Sequence, residues 1–152
     1  MSPSPDFDLA AAHRFFAAEC FNRAWTLMEQ ELRTAEDERL MVALNQASIY
    51  HWLQRPDCQP RNLSIGYWQA SRIQVLLDRA DEAVRHAEIC LGYSSDLPPF
   101  YLAYAHEAMA RAQALNNRLL PAAEHKQRAL DLAQAIDKPD DRRALLDDLA
   151  TL

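Results

Sequence analysis

Residues 62–91 read NLSIGYWQASRIQVLLDRADEAVRHAEICL, and this stretch decides the fold. Two runs of good helix formers flank Asp78-Arg79, so the spacing predicts two helices folded back on each other at that bend. The same hairpin is written again 39 residues later, over 102–130. Eight positions are identical at that offset: Leu63/Leu102, Arg72/Arg111, Gln74/Gln113, Leu76/Leu115, Arg79/Arg118, Ala83/Ala122, His86/His125 and Leu91/Leu130. A hairpin repeating at a fixed period cannot bury both its faces alone. It stacks on its neighbours.

Working outward, the chain supplies a further hairpin before the repeat and one helix after it. Asp8 to Leu32 contains neither Gly nor Pro and is expected to form one long helix. Phe16, Cys20, Ala24 and Leu27 recur at helical spacing, and Phe15, Ala18, Trp25 and Met28 widen that stripe, which predicts burial over much of its girth. Thr34-Ala35-Glu36-Asp37 is a helix-start signal, because the threonine oxygen can accept from a backbone N–H three residues on. The second helix should run to about Gln54, with Leu40, Leu44, Ala47 and His51 on one face and small Ala47 and Ser48 permitting close approach. Arg55–Arg61, with two prolines, is a loop. Asn62 is expected to cap the third helix, Asp81 to begin the fourth and Gly92 to end it. Pro98-Pro99 opens the fifth helix, where a missing N–H costs nothing. Asn116-Asn117 turns the chain into a sixth helix, with Pro121 in its first turn. Asp137–Asp141 starts a last helix that runs to about Ala150.

The expectation is an all-α protein, an α-α superhelix of three helical hairpins plus a C-terminal capping helix. Residues 1–7 read as a flexible leader, and 8–152 as a single helical-repeat domain. With only two glycines, a turn-rich β fold or a phosphate-cradling glycine loop is excluded. The net charge of −6 argues against nucleic acid and anionic lipid as partners. No apolar run approaches the ~20 residues that span a bilayer, and MSPSPDFD is not a secretion signal. Cys20, Cys58 and Cys90 lack paired spacing, which favours reduced thiols in a cytoplasm over a zinc site.

Asp81-Glu82-Ala83 with Ala87, and Ala122 with Ala129-Leu130, resemble the second helix of the tetratricopeptide repeat. Ser71 and Ala110 stand near where that repeat carries a glycine, and the 39-residue period exceeds its usual length. The likeness is therefore to the superfamily, across roughly 8–150. FNRAWTLMEQ, ASIYHW and DRRALLDDLATL also resemble segments of a group of small bacterial proteins with a tetratricopeptide-like fold. That resemblance implies a bacterial cytoplasmic protein and carries over no site residues.

Two constellations can bind something. Arg72 and Arg111 occupy equivalent positions on successive first helices, which in stacked hairpins lie about 10 Å apart on the concave surface. With Trp68, Tyr104 and Glu107 they form a candidate groove for a protein or peptide partner, gripping a carboxylate through the guanidiniums. Tetratricopeptide domains, which the chain resembles, bind extended peptides in such a groove. The same residues also admit a purely structural use, in which Glu107 pairs with Arg111 four residues on and Arg72 takes another acid. The second constellation is Asn22, Trp25, His51 and Trp52. It is a candidate small-molecule pocket between the first two hairpins, or a core histidine among space-filling tryptophans. His86 and His125 recur in register, with His13 and His106 besides, but no two histidines share metal-ligand spacing, and no metal or cofactor is expected. Catalytic motifs are missing, and Asp57 beside Cys58 disfavours a thiolate there. The leading expectation is a non-enzymatic interaction module. A small-molecule binder or sensor is the alternative, and a homo-oligomer in which a second copy covers the groove or an end of the solenoid is a third.

Overall fold

The computed structural model describes residues 3–152. Among these are seven α-helices: α1 (Leu9–Met28), α2 (Ala35–Leu53), α3 (Pro60–Leu76), α4 (Ala80–Ser94), α5 (Pro99–Leu115), α6 (Leu119–Ala133) and α7 (Pro139–Leu149). The all-helical class follows the composition. Two compact units form, one ending at Gln59 and the other Pro60–Leu152. Of the expected leader, residues 1 and 2 lie outside the described residues, and 3–7 are exposed and non-helical.

In the first unit α1 is continuous. Asp8 caps it, its carboxylate accepting from the Ala11 N–H at 2.9 Å. It ends at Met28, a turn short of Leu32, because Arg33 takes the last carbonyls, donating to Gln30 at 2.7 Å and Met28 at 3.3 Å. Thr34 and Asp37 then form a reciprocal capping box: Asp37 N–H donates to Thr34 Oγ1 at 3.1 Å and Thr34 N–H to Asp37 Oδ2 at 2.8 Å.

The α1–α2 contact is built from small residues. Ala17, Cys20 and Ala24 are buried on α1, and Ser48 donates to the Ala17 carbonyl at 2.7 Å. The sequence left the inward face of α2 open, and the buried residues are Met41, Leu44, Asn45, Ser48 and Ile49. One expectation needs correction: α1 is not covered around its girth, since Phe15 is 60% exposed and stacks edge-on against Phe16 at 5.1 Å. The alanine face meets α2, so the bulkier phenylalanine side turns outward.

In the second unit α3 opens at Pro60, so Asn62 lies inside the first turn and not before it. The two repeated hairpins turn identically. Asp78 and Asn117, 39 residues apart, are left-handed, with φ of 58° and 57°. Arg79 N–H reaches back to the Gln74 carbonyl and Arg118 N–H to Gln113, each at 2.9 Å. Asp78 bonds Val75 and Asn117 bonds Ala114 at 3.1 Å, completing a Schellman end in both repeats. Gly92, by contrast, terminates nothing. α4 runs through it to Ser94, and no glycine has positive φ among the described residues. The stop comes from Pro98-Pro99, which cannot continue the helical ladder.

α5 is the centre of this unit, packing on α3, α4, α6 and α7. Nine of its 17 residues are buried, five of them alanines, which lets four neighbours approach closely. Ala108, Met109 and Ala112 meet Ala83 and Ala87 of α4. Ala103 joins Ala129, Ala133, Ile136, Leu145 and Leu149, seating α6 and α7. Ser71 donates to the Ala83 carbonyl at 2.9 Å, where its repeat-mates are Ala110 and Ala122.

A non-glycine residue in the left-handed region costs about 1 kcal/mol. Asp78→Gly is therefore expected to raise unfolding free energy by about 0.5–1 kcal/mol, measured by urea titration. A loss of stability would show that Asp78 contributes something besides the turn.

Candidate functional site

The spacing of Trp68 and Arg72 on α3, and of Tyr104, Glu107 and Arg111 on α5, puts each set on one helical face. The structure gathers all five. Glu107 is completely buried. Its Oε1 accepts from Arg111 Nε at 2.7 Å and from Arg72 Nη1 at 3.1 Å, and its Oε2 accepts from the Trp68 indole N–H at 3.0 Å. A buried carboxylate is tolerated only when paired and hydrogen-bonded, and these three donors supply both. Arg111 continues outward, its Nη2 donating to the Asp148 carbonyl at 2.9 Å and to Thr151 Oγ1 at 2.8 Å. Tyr104 donates to Asp148 Oδ2 at 3.1 Å and meets Trp68 edge-on at 5.7 Å. Burial, then the Asp148 carboxylate, pushes the Tyr104 hydroxyl well above its ordinary range.

The geometry changes what the arginines can offer. Their shared carboxylate is Glu107. The Arg111 side chain is only 14% exposed and is spoken for on both sides. Arg72 is 23% exposed and meets Glu107 through Nη1 alone, so its Nε and Nη2 edge lies outside that bond. On the same helix Ile65 and Leu76 are exposed large apolar residues. A half-open strip of α3 thus presents Ile65, Trp68, Arg72 and Leu76, with Trp68 and Arg72 held in place from beneath.

The four small-molecule candidates are not brought together. Ala17 lies opposite Ser48, and His13 opposite His51, in the antiparallel hairpin. That register sets Asn22 and Trp25 toward the other end of α1 from His51 and Trp52. Trp25 donates to Glu29 at 2.8 Å, and Arg55 lies over the Trp52 ring at 3.9 Å. A cleft of about 160 Å3 instead opens at the His13 end, with none of the four in its lining.

Sequence reasoning missed the histidine pairs. His13 and His51 meet through their Nδ1 atoms at 2.8 Å, and His106 and His125 at 2.9 Å. In each pair one ring must donate and the other accept. Tyr67 stacks on His86 at 6.0 Å, and residues 67 and 86 are the repeat-mates of His106 and His125. Comparing the repeats at 67 and 106 as well as at 86 and 125 would have exposed this contact. Cys58 has its thiol pKa raised, first by burial and only then by Asp57; burial also pushes the Cys90 thiol up, to about 11. Among the described residues, no three His, Cys, Asp or Glu side chains are grouped to hold a metal, and no helix is long and apolar enough to cross a membrane.

Compared with known proteins, the chain matches no protein-family model, no curated protein and no solved structure.

Removing the charge of Glu107 leaves two guanidiniums without their carboxylate. Glu107→Gln is expected to destabilise the Pro60–Leu152 unit by about 3 kcal/mol, the low end for a broken buried pair because Arg72 is partly solvated. Denaturation followed by tryptophan fluorescence reads this, and a change below about 0.5 kcal/mol would remove Glu107 from the central role.

The histidines predict a pH dependence. Burial is the first cause lowering His51, His86, His106 and His125, with His106 brought to about 4. Arg85 adds to the effect on His86 and Arg128 on His106 and His125, against the opposing Glu82 and Glu124. The unfolded chain therefore binds protons first as pH falls. Stability should drop from the ordinary histidine value of 6.5 downward and level off near 4. The urea midpoint at pH 5 should lie below that at pH 7.5. His106→Tyr, which copies Tyr67, should flatten the dependence; equal slopes in both proteins would clear this pair of the effect.

Proposed function

We propose that the chain is a non-enzymatic interaction module, binding an extended peptide segment of a partner protein along its first helices. One observation carries the reading: the strip of Ile65, Trp68, Arg72 and Leu76 on α3 is partly open, apolar and cationic, and Glu107 holds its tryptophan and arginine rigid. Rigid anchors reduce the ordering cost of association. Trp and Arg are the side chains that most often dominate interface energies. The partner segment that fits supplies apolar side chains for Ile65 and Leu76 and a carboxylate for the open edge of Arg72. Tyr104, Glu107 and Arg111 then act as the support of the surface.

The same proposal includes a tetratricopeptide-like α-α superhelix in a bacterial cytoplasm. Support for the superhelix comes from the 39-residue period, the identical Schellman ends and the small residues at Ser71/Ala83 and Ala110/Ala122. Support for the location is the odd count of free thiols.

The test leaves the Glu107 network intact. A random peptide display library panned on the protein should enrich segments that combine acidic and apolar residues. Ile65→Asp with Leu76→Asp should weaken the best of them by tenfold or more, about 1.4 kcal/mol, with unchanged helical circular dichroism. Enrichment no better than on an unrelated helical protein, or affinity indifferent to the double substitution, would reject the reading.

A further inference from the structure

A second feature lies within the first unit. The cleft at the start of α1 and the end of α2 is lined by His13, Arg14, Gln54, Arg55 and Asp57, with Ala10 at its edge. Three circumstances set its chemistry. Arg55 is immobilised: its guanidinium lies 3.9 Å over Trp52, and its Nε and Nη2 grip Asp57 at 2.9 and 2.7 Å. That fork uses one edge of the guanidinium and leaves Nη1 outside it. Arg14 is exposed, makes no salt bridge among the described residues, and stands close enough to help hold the Asp57 carboxyl below its ordinary range. His13 also lines the cleft, and with its Nδ1 engaged by His51 its Nε2 lies outside that contact.

The charges do not balance. Two arginines face one carboxylate, leaving one positive charge over the cleft, with amide and imidazole groups beside it. About 160 Å3 holds a phosphate group or the carboxylate end of a small organic acid.

We infer that this cleft binds a small oxyanion, the carboxylate or phosphate group of a small molecule, between Arg14 and the Nη1 edge of Arg55, with Gln54 and His13 as hydrogen-bonding walls. Asp57 has two roles here. It preorganises Arg55, and its own charge sets a modest affinity that a ligand with further contacts improves. The site lies within the first unit and does not depend on the peptide reading of α3.

The experiment titrates the whole chain at pH 7 and constant ionic strength with inorganic phosphate in one arm and succinate in the other. Binding is read from the NMR signals of the arginine Nε–H groups and the histidine rings. The expected result is a saturable shift at Arg14, Arg55 and His13 in at least one arm, and the stronger arm tells phosphate from carboxylate chemistry. Arg14→Gln, an exposed change that preserves folding, should weaken that binding about tenfold, the share of one charge-assisted hydrogen bond. Arg85→Gln, on α4, should leave it unchanged. Linear shifts in both arms, or an affinity equal in wild type and Arg14→Gln, would overturn the inference.

Discussion

The second unit depends on one buried negative charge. Glu107 sits at the centre of α5 with no exposed surface, and a lone carboxylate there would be prohibitively costly. Its two oxygens are met by three donors, from Trp68, Arg72 and Arg111. Each donor fixes something larger than itself. The Trp68 and Arg72 bonds cross from α3 and set its distance and register against α5. Arg111 extends to the backbone of Asp148 and the hydroxyl of Thr151, tying the end of α7 to the same point. Apolar packing of alanines would let α3 and α7 slide along α5 at little cost. The carboxylate does not, because any shift leaves a donor or the charge unsatisfied.

The repeat explains why this network exists at this place. Trp68 and Glu107 are the same repeat position, as are Arg72 and Arg111. In adjacent first helices, equivalent positions lie side by side, one helix diameter apart, within reach of long side chains. Identity between repeats therefore marks the arginines, while the chemistry turns on the non-identical pair, where one copy supplies an indole donor and the other a carboxylate acceptor. A search for matching residues finds the first and passes over the second.

Local physics was the legible part of the chain. Asp78 and Asn117 announce turns because their short side chains tolerate the left-handed region, and Thr34 with Asp37 announces a capping box because both partners lie within one turn. Prolines at 60 and 99 open helices for the same local reason. What escaped depended on partners distant in sequence or on competition between signals. Gly92 looked like a stop, yet α4 runs through it to Ser94 and the following prolines end it. Asn62 looked like the residue just before the helix, yet Pro60 starts it. The inward face of α2 stayed open because Leu40 and Met41 are both apolar, and the fit of Ser48 against Ala17 marks the buried side. His13 and His51 are 38 residues apart, and no spacing rule joins them.

The arginine pair shows how a structural and a binding role divide within one motif. Sequence alone gave both arginines the same standing. Arg111 is engaged along its length, by Glu107 at one side and by the α7 terminus at the other, so a ligand would have to displace an existing bond to reach it. Arg72 spends one nitrogen on Glu107 and lies 5.9 Å over the face of Trp68, with its outer edge in a partly solvated strip. A guanidinium held on one side by a carboxylate and beside an indole has lost most of its rotamer freedom before any partner arrives. The same buried charge that fixes the helices thus also prepares the arginine of this pair that still faces outward. Stability of the α3–α5 pair and readiness of the surface are in this unit a single property of Glu107.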